Sequence, residues 1–215
     1  MVRRKIVYVT SNANKRDEVE ILIKDASFDD GTPLRDIFDI MVRSIFIPER
    51  LGIKLEIMVA DEAARAYEVL KVPCVVEHAG LIFDDFEAAS YPGGLTKPMW
   101  NALGSRFRES TCVGHNGAMA KAVVGYCDGM AVRTFVGTTH GYLSEEPSGS
   151  RKFYWDTIFV PDDPTRPGSK LTYASIVDDP DLGLRYKVMN LSQSSKAMLR
   201  CLQFVREHEP NLLWA

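Results

Sequence analysis

An α/β fold follows from three features of the 215-residue chain. Helical and strand-like apolar patterns alternate along it, a strand–loop–helix unit opens it, and 46% of its side chains are apolar, enough to bury one full core. The composition bounds the class before any motif does. With 26% charged residues the chain is not of the disordered type, and a net charge of −3 leaves no basic face for a polynucleotide, so nucleic acid is excluded as a partner. The apolar run Ile6 to Val9 is too short for a secretory or membrane segment, so the expected location is the cytoplasm with no membrane contact. Cys74, Cys112, Cys127 and Cys201 contain no CxxC pair, and the four histidines no HxxxH, so neither a disulfide framework nor a zinc site is signalled.

Residues 5–10 carry β-formers and break into Ser11-Asn12-Ala13-Asn14-Lys15, after which Val19, Leu22 and Ile23 mark a helix. Leu34, Ile37, Phe38, Met41 and Ile45 repeat at helical spacing and predict a second helix, or an extension of the first. Val59, Ala63, Ala66, Tyr67 and Leu70 predict another, closed by Pro73 before a strand over 74–77. Gly80 is read as a turn leading into a further apolar run. Residues 119–127 fit helix or strand, but Asp128-Gly129 before a β-rich run argues for a hairpin. A short strand is expected over 157–160, a loop over 161–170, and an amphipathic helix from Ser192, its N-cap, through Met198, Leu202 and Val205. No repeat or linker divides the chain, and residues 1–215 are expected to form a single domain.

Chemistry enters at Thr10-Ser11-Asn12-Ala13-Asn14-Lys15. A loop between strand and helix offers free N–H groups and the positive end of the helix dipole to a phosphate. Together with IPE at 47–49, VVEHAGL at 75–81, PGGLTK at 92–97, FVGTTHG at 135–141, FYWD at 153–156, TYA at 172–174 and SQSSKA at 192–197, this loop gives a chain that resembles the inosine triphosphate pyrophosphatase family over nearly its whole length.

The resemblance implies an elongated mixed β-sheet with flanking helices, two lobes around a nucleotide cleft, a homodimer, and hydrolysis of deaminated purine triphosphates (ITP, dITP, XTP) to the monophosphate and pyrophosphate with magnesium. It places Thr10, Asn12, Lys15 and Lys97 on the phosphates. Phe153, Trp155, Asp156, Ser192, Gln193 and Lys196 fall on the base, Glu49 and Glu77 on the metal, and Glu77 and His78 at the catalytic position.

Three departures touch chemistry rather than architecture. His78 stands where such a family has the second acid of V-E-D; imidazole adds no negative charge and offers nitrogen where magnesium prefers oxygen. Asp61 or Glu62 replaces a phosphate-directed lysine, with Arg65 one turn on as a substitute. Ser192-Gln193-Ser194 replaces a Ser-His-Arg triplet, and the lysine due four residues before Ser192 is Val188, next to Lys187. The expected function is therefore that of a purine triphosphate binder with impaired catalysis, acting as a sensor with an effector protein. The alternative is an active magnesium pyrophosphohydrolase in which His78 is the base and Asp84 or Asp85 joins Glu49 and Glu77 on the metal.

Overall fold

In the computed structural model, which describes residues 3–111, 114–150 and 154–208, seven α-helices of the described residues flank one six-stranded sheet. Phe153 and Cys112 lie outside the described residues. Strand β1 (Arg4–Val9) leads into helix α1 (Ala13–Asp25), and a single turn α2 (Leu34–Ile37) into strand β2 (Phe38–Arg43). Helix α3 (Leu55–Leu70) precedes β3 (Cys74–Phe83), and α4 (Thr96–Leu103) precedes the hairpin of β4 (Gly117–Cys127) and β5 (Val132–Leu143). Strand β6 (Phe159–Pro161), α5 (Tyr173–Asp178), α6 (Gly183–Tyr186) and α7 (Gln193–His208) complete the fold.

The sheet runs β2-β1-β3-β4-β5-β6; β1 is parallel to both of its neighbours, and every later pair is antiparallel. It is mixed, as expected. Helices α1 and α7 cover one face of its inner half through Tyr8, Val75, Val124, Met198 and Leu202, and α3 covers the other through Val7, Val76, Val123 and Ala63. The long hairpin carries a second lobe, whose core is aromatic: Phe83, Phe107, Trp155, Phe159 and Tyr173.

Two expectations are corrected. The segment read as a second helix forms only the turn α2 and then β2, because Phe38, Ile40 and Val42 belong to a β-branched and aromatic run that pairs in register with β1. The expected turn at Gly80 is the middle of β3, which runs unbroken for ten residues. Glycine is needed there for another reason: a Cβ would lie 2.2 Å from the Gly93 carbonyl oxygen and 2.8 Å from Thr96 Oγ1. That approach lets Thr96 accept the Leu81 N–H at 2.9 Å and donate to Gly93 O at 2.6 Å, which seats residues 92–97 across β3.

The same sheet opens the cleft. Strand β1 pairs with β3 only at Val7–Cys74 and Tyr8–Val75, and at Thr10 the chain turns into α1. From Val76 onward β3 keeps β4 on one side, while the other side faces a gap between the lobes.

Candidate functional site

The gap is a cleft of about 740 Å³. Thr10, Asn12 and Lys15 line one end, Glu49 and Arg50 a side loop, Glu62 the α3 wall, Glu77 and His78 the floor, and Lys97 with Tyr154 and Trp155 the far wall. Most of the residues expected on the phosphates and at the catalytic position thus meet in one place, although the elements that carry them are far apart in sequence.

At the α1 end, Asn12 caps the helix by accepting the Asn14 N–H at 2.9 Å, and its own N–H donates to Thr10 Oγ1 at 3.1 Å. No acid occupies the first turn, so the positive end of a 13-residue helix points at the cleft uncancelled. Lys15 donates to the Glu77 backbone oxygen at 2.6 Å and lies 3.4 Å from its carboxylate.

Consecutive strand residues face opposite sides of a sheet. Glu77 therefore turns toward α1 and α7, and its oxygens accept from Tyr8 Oη at 2.8 Å and Ser194 Oγ at 2.8 Å. Burial alone would raise its carboxyl, but Lys15, Tyr8 and Ser194 outweigh it and hold the group below the usual carboxylate range. The Tyr8 phenol, buried beside that carboxylate, is pushed well above its ordinary value, so it stays a donor. His78 turns the other way, and its Nε2 meets Glu62 Oε2 in a short contact. Of the two acids proposed for α3, Glu62 is the one in the cleft; Asp61 pairs along the helix with Arg65 at 3.1 Å, and Arg65 is exposed outside it.

The residues expected on the base divide. Trp155 lines the cleft but is 2% exposed and stacks edge-on with Phe159 and obliquely with Tyr173, so most of its ring serves the second core. Asp156 is fully buried and accepts from Lys187 Nζ at 2.8 Å, while the same ammonium reaches Glu18 at 3.0 Å and sits 4.6 Å from the centre of the Tyr173 ring. Ser192 caps α7, accepting the Ser195 N–H at 3.3 Å. Gln193 Oε1 accepts the Tyr173 hydroxyl at 3.0 Å, and Lys196 donates to Thr138 O at 2.9 Å and Thr139 Oγ1 at 2.8 Å. Burial, with Arg200 adding to it, lowers the Lys196 ammonium. Asp156, Ser192, Gln193 and Lys196 all lie off the cleft wall, each with a protein partner.

Two features were not legible. Residues Lys187–Leu191 form a π-turn, with Ser192 N–H donating to Lys187 O at 2.8 Å. The turn absorbs one extra residue, so Lys187 takes the place relative to Ser192 that an α-turn would give residue 188. Lys187, rather than Val188, is therefore the residue bonded to the Ser192 N–H. Tyr154 holds a positive φ of +42°, a value more usual for glycine, and sets its ring under Lys97, 5.5 Å from Nζ to the ring centre.

These donors do not form a metal centre by themselves. Among the described residues, no group of three or more His, Cys, Asp or Glu side chains converges on an ion position. Glu77 is engaged by three donors, Glu62 by His78, and Asp85 by His115 at 3.0 Å at the far end of β3; Asp84, beside it, also lies outside the cleft.

The Ham1 family profile matches residues 6–179, most of the chain and all of the cleft floor. The chain belongs to the Ham1 family. Among curated relatives, it is 31% identical over 175 residues to the inosine triphosphate pyrophosphatase of Scheffersomyces stipitis, covering 80% of this chain and 86% of that one. It is 26% identical over 178 residues to the dITP/XTP pyrophosphatase of Hyperthermus butylicus, covering 82% and 85%. The structure of the Staphylococcus aureus Ham1 protein superposes with a TM-score of 0.62 at 16% identity, over 94% of this chain and 98% of that one, which shows a shared Ham1 fold. A Ham1 protein from Coxiella burnetii does the same at 0.62 and 18%, over 93% and 98%.

Proposed function

We propose that the cleft binds a deaminated purine nucleoside triphosphate and that the chain hydrolyses it slowly, acting as a nucleotide sensor. The observation that carries this reading is the cleft itself, where the bare N-terminus of α1, Lys15 and Arg50 face the wall of Lys97, Tyr154 and Trp155 across about 740 Å³. Such an arrangement suits an anionic chain at one end and a flat ring at the other. Relatives named for inosine triphosphate and for dITP/XTP supply the substrate class. Slow turnover is supported by His78 in place of an acid and by the full engagement of Glu77. Magnesium is expected as the ion the triphosphate itself carries, with Glu49 the exposed carboxylate on the cleft wall. A sensor also implies a partner, and a homodimer that engages an effector protein in the cytoplasm is the assembly we assign to it.

The contact between His78 and Glu62 favours a second reading, in which the chain is a working pyrophosphohydrolase with an imidazole base. One experiment separates the two. The protein is titrated with dITP and magnesium in a calorimeter, with ATP as control, and pyrophosphate release is followed in parallel. Micromolar affinity for dITP with turnover far below one per second supports the sensor. Turnover of several per second replaces it with the hydrolase, and no heat with any purine triphosphate removes both.

A further inference from the structure

The geometry points to Glu62 as a positioning residue that fixes the tautomer of His78. The two side chains stand 16 residues apart, on α3 and β3, and are 13% and 15% exposed, so their contact is shielded from bulk water while remaining on the cleft wall. Glu62 Oε2 meets Nε2, and a carboxylate can only accept, so the proton of the neutral ring resides on Nε2. Among the described residues Nδ1 has no hydrogen-bond partner. It is left as a lone-pair nitrogen on a side chain that lines the cleft. A ring nitrogen's role is set by what the other nitrogen binds, and here the fold has made that choice in favour of an acceptor at Nδ1.

The backbone supports the pairing independently. His78 lies opposite Val123 in the regular β3–β4 ladder, and its neighbours on the same face, Cys74 and Val76, pack beneath α3. The helix that covers this face therefore sets where Glu62 can reach. Next to Glu62 and one turn along, Ala63 and Ala66 are fully buried against the same strands, so α3 has little freedom to withdraw the carboxylate.

The catalytic consequence rests on the cleft being a triphosphate site. There, a water proton moves to Nδ1 as the water oxygen bonds the α-phosphorus, and the α–β bridging oxygen departs on pyrophosphate with the electron pair. The imidazolium so formed is paired with Glu62. The residual hydrolysis then depends on Glu62 although Glu62 touches neither water nor phosphate.

The test reads the ring directly. Nitrogen-15 correlation spectra of labelled wild type, Glu62→Gln and Glu62→Ala are recorded at mildly alkaline pH without nucleotide. The wild type is expected to show His78 protonated on Nε2 alone. Glu62→Gln, whose amide can donate or accept, and Glu62→Ala are expected to show both tautomers. A wild-type ring protonated on Nδ1, protonated on both nitrogens, or mixed as in the variants overturns the inference, whatever the nucleotide affinity. Alongside, pyrophosphate release by Glu62→Gln is expected to fall about tenfold or more with dITP affinity nearly unchanged. Equal losses in both would mean that Glu62 serves binding instead. Failure to bind nucleotide would remove the proposed function but leave the tautomer result standing.

Discussion

The charged residues under the helices and those on the cleft wall are organised in opposite ways, although β3 carries members of both. Beneath α1 and α7, Glu77 has three donors, and Lys187 binds two carboxylates beside an aromatic face. On the cleft side, His78 has one partner, Lys97 rests on a tyrosine ring, and Glu49 is exposed. Charge in the first region is spent on holding the lobes together, and charge in the second is left for a ligand. The chain thus has a cleft of the Ham1 fold while several groups expected on the nucleotide meet protein partners.

This contrast can be broken most severely at Lys187. Lys187→Met removes the ammonium that Glu18 and Asp156 share and should cost about 3 kcal/mol in urea unfolding. A smaller change would leave Asp156 available to a base and contradict its structural role. Exchanging charges across the cleft is the next largest effect. His78→Asp alone sets two carboxylates in contact and should not raise turnover, whereas the double variant His78→Asp with Glu62→Lys restores opposite charges and should raise it about a hundredfold. If the single variant proves the faster enzyme, Glu62 does not control this position.

Glu77→Gln should cost about 2 kcal/mol at neutral pH, because three donors lose a charged acceptor. The pH dependence has a fixed sign. The folded value lies below the ordinary 4.5, so the stabilisation is present above that value and drains away as pH falls through the lower folded one. Acid unfolding followed by circular dichroism should show this loss in the wild type and a flatter profile in Glu77→Gln. Lys97→Ala should leave the melting temperature unchanged and weaken dITP binding about fivefold, the mark of a charge held for the ligand. Last, Tyr154→Gly should relieve about 1 kcal/mol of left-handed strain, and calorimetric melting would show the gain.

Local chemistry was legible and long-range pairing was not. The opening strand, the loop over 10–12 and α1 follow from residues next to one another, as does the Ser192 cap of α7. Strand β2 was hidden because Leu34, Ile37, Phe38, Met41 and Ile45 satisfy a helical period by coincidence, and its identity depends on β1 lying alongside. That Glu77 and His78 face opposite sides could be inferred from strand alternation, but which helix meets each could not. The contacts Glu62–His78 and Lys187–Asp156 join residues 16 and 31 apart through packing that no local pattern encodes. The aromatic motif at 153–156 combines both cases, since Trp155 reaches the cleft and still spends most of its ring on the second core.

The π-turn before Ser192 bears on how residues are matched between relatives. A helix that swallows one surplus amino acid in a widened loop of backbone keeps everything downstream in phase, yet pushes every upstream position out of step by one in any comparison made by counting. Correspondence across this segment has to be drawn in space, and a variant lacking one of residues 188–191 would close the widened turn to an ordinary α-turn with the Ser192 N–H still bonded to Lys187 O.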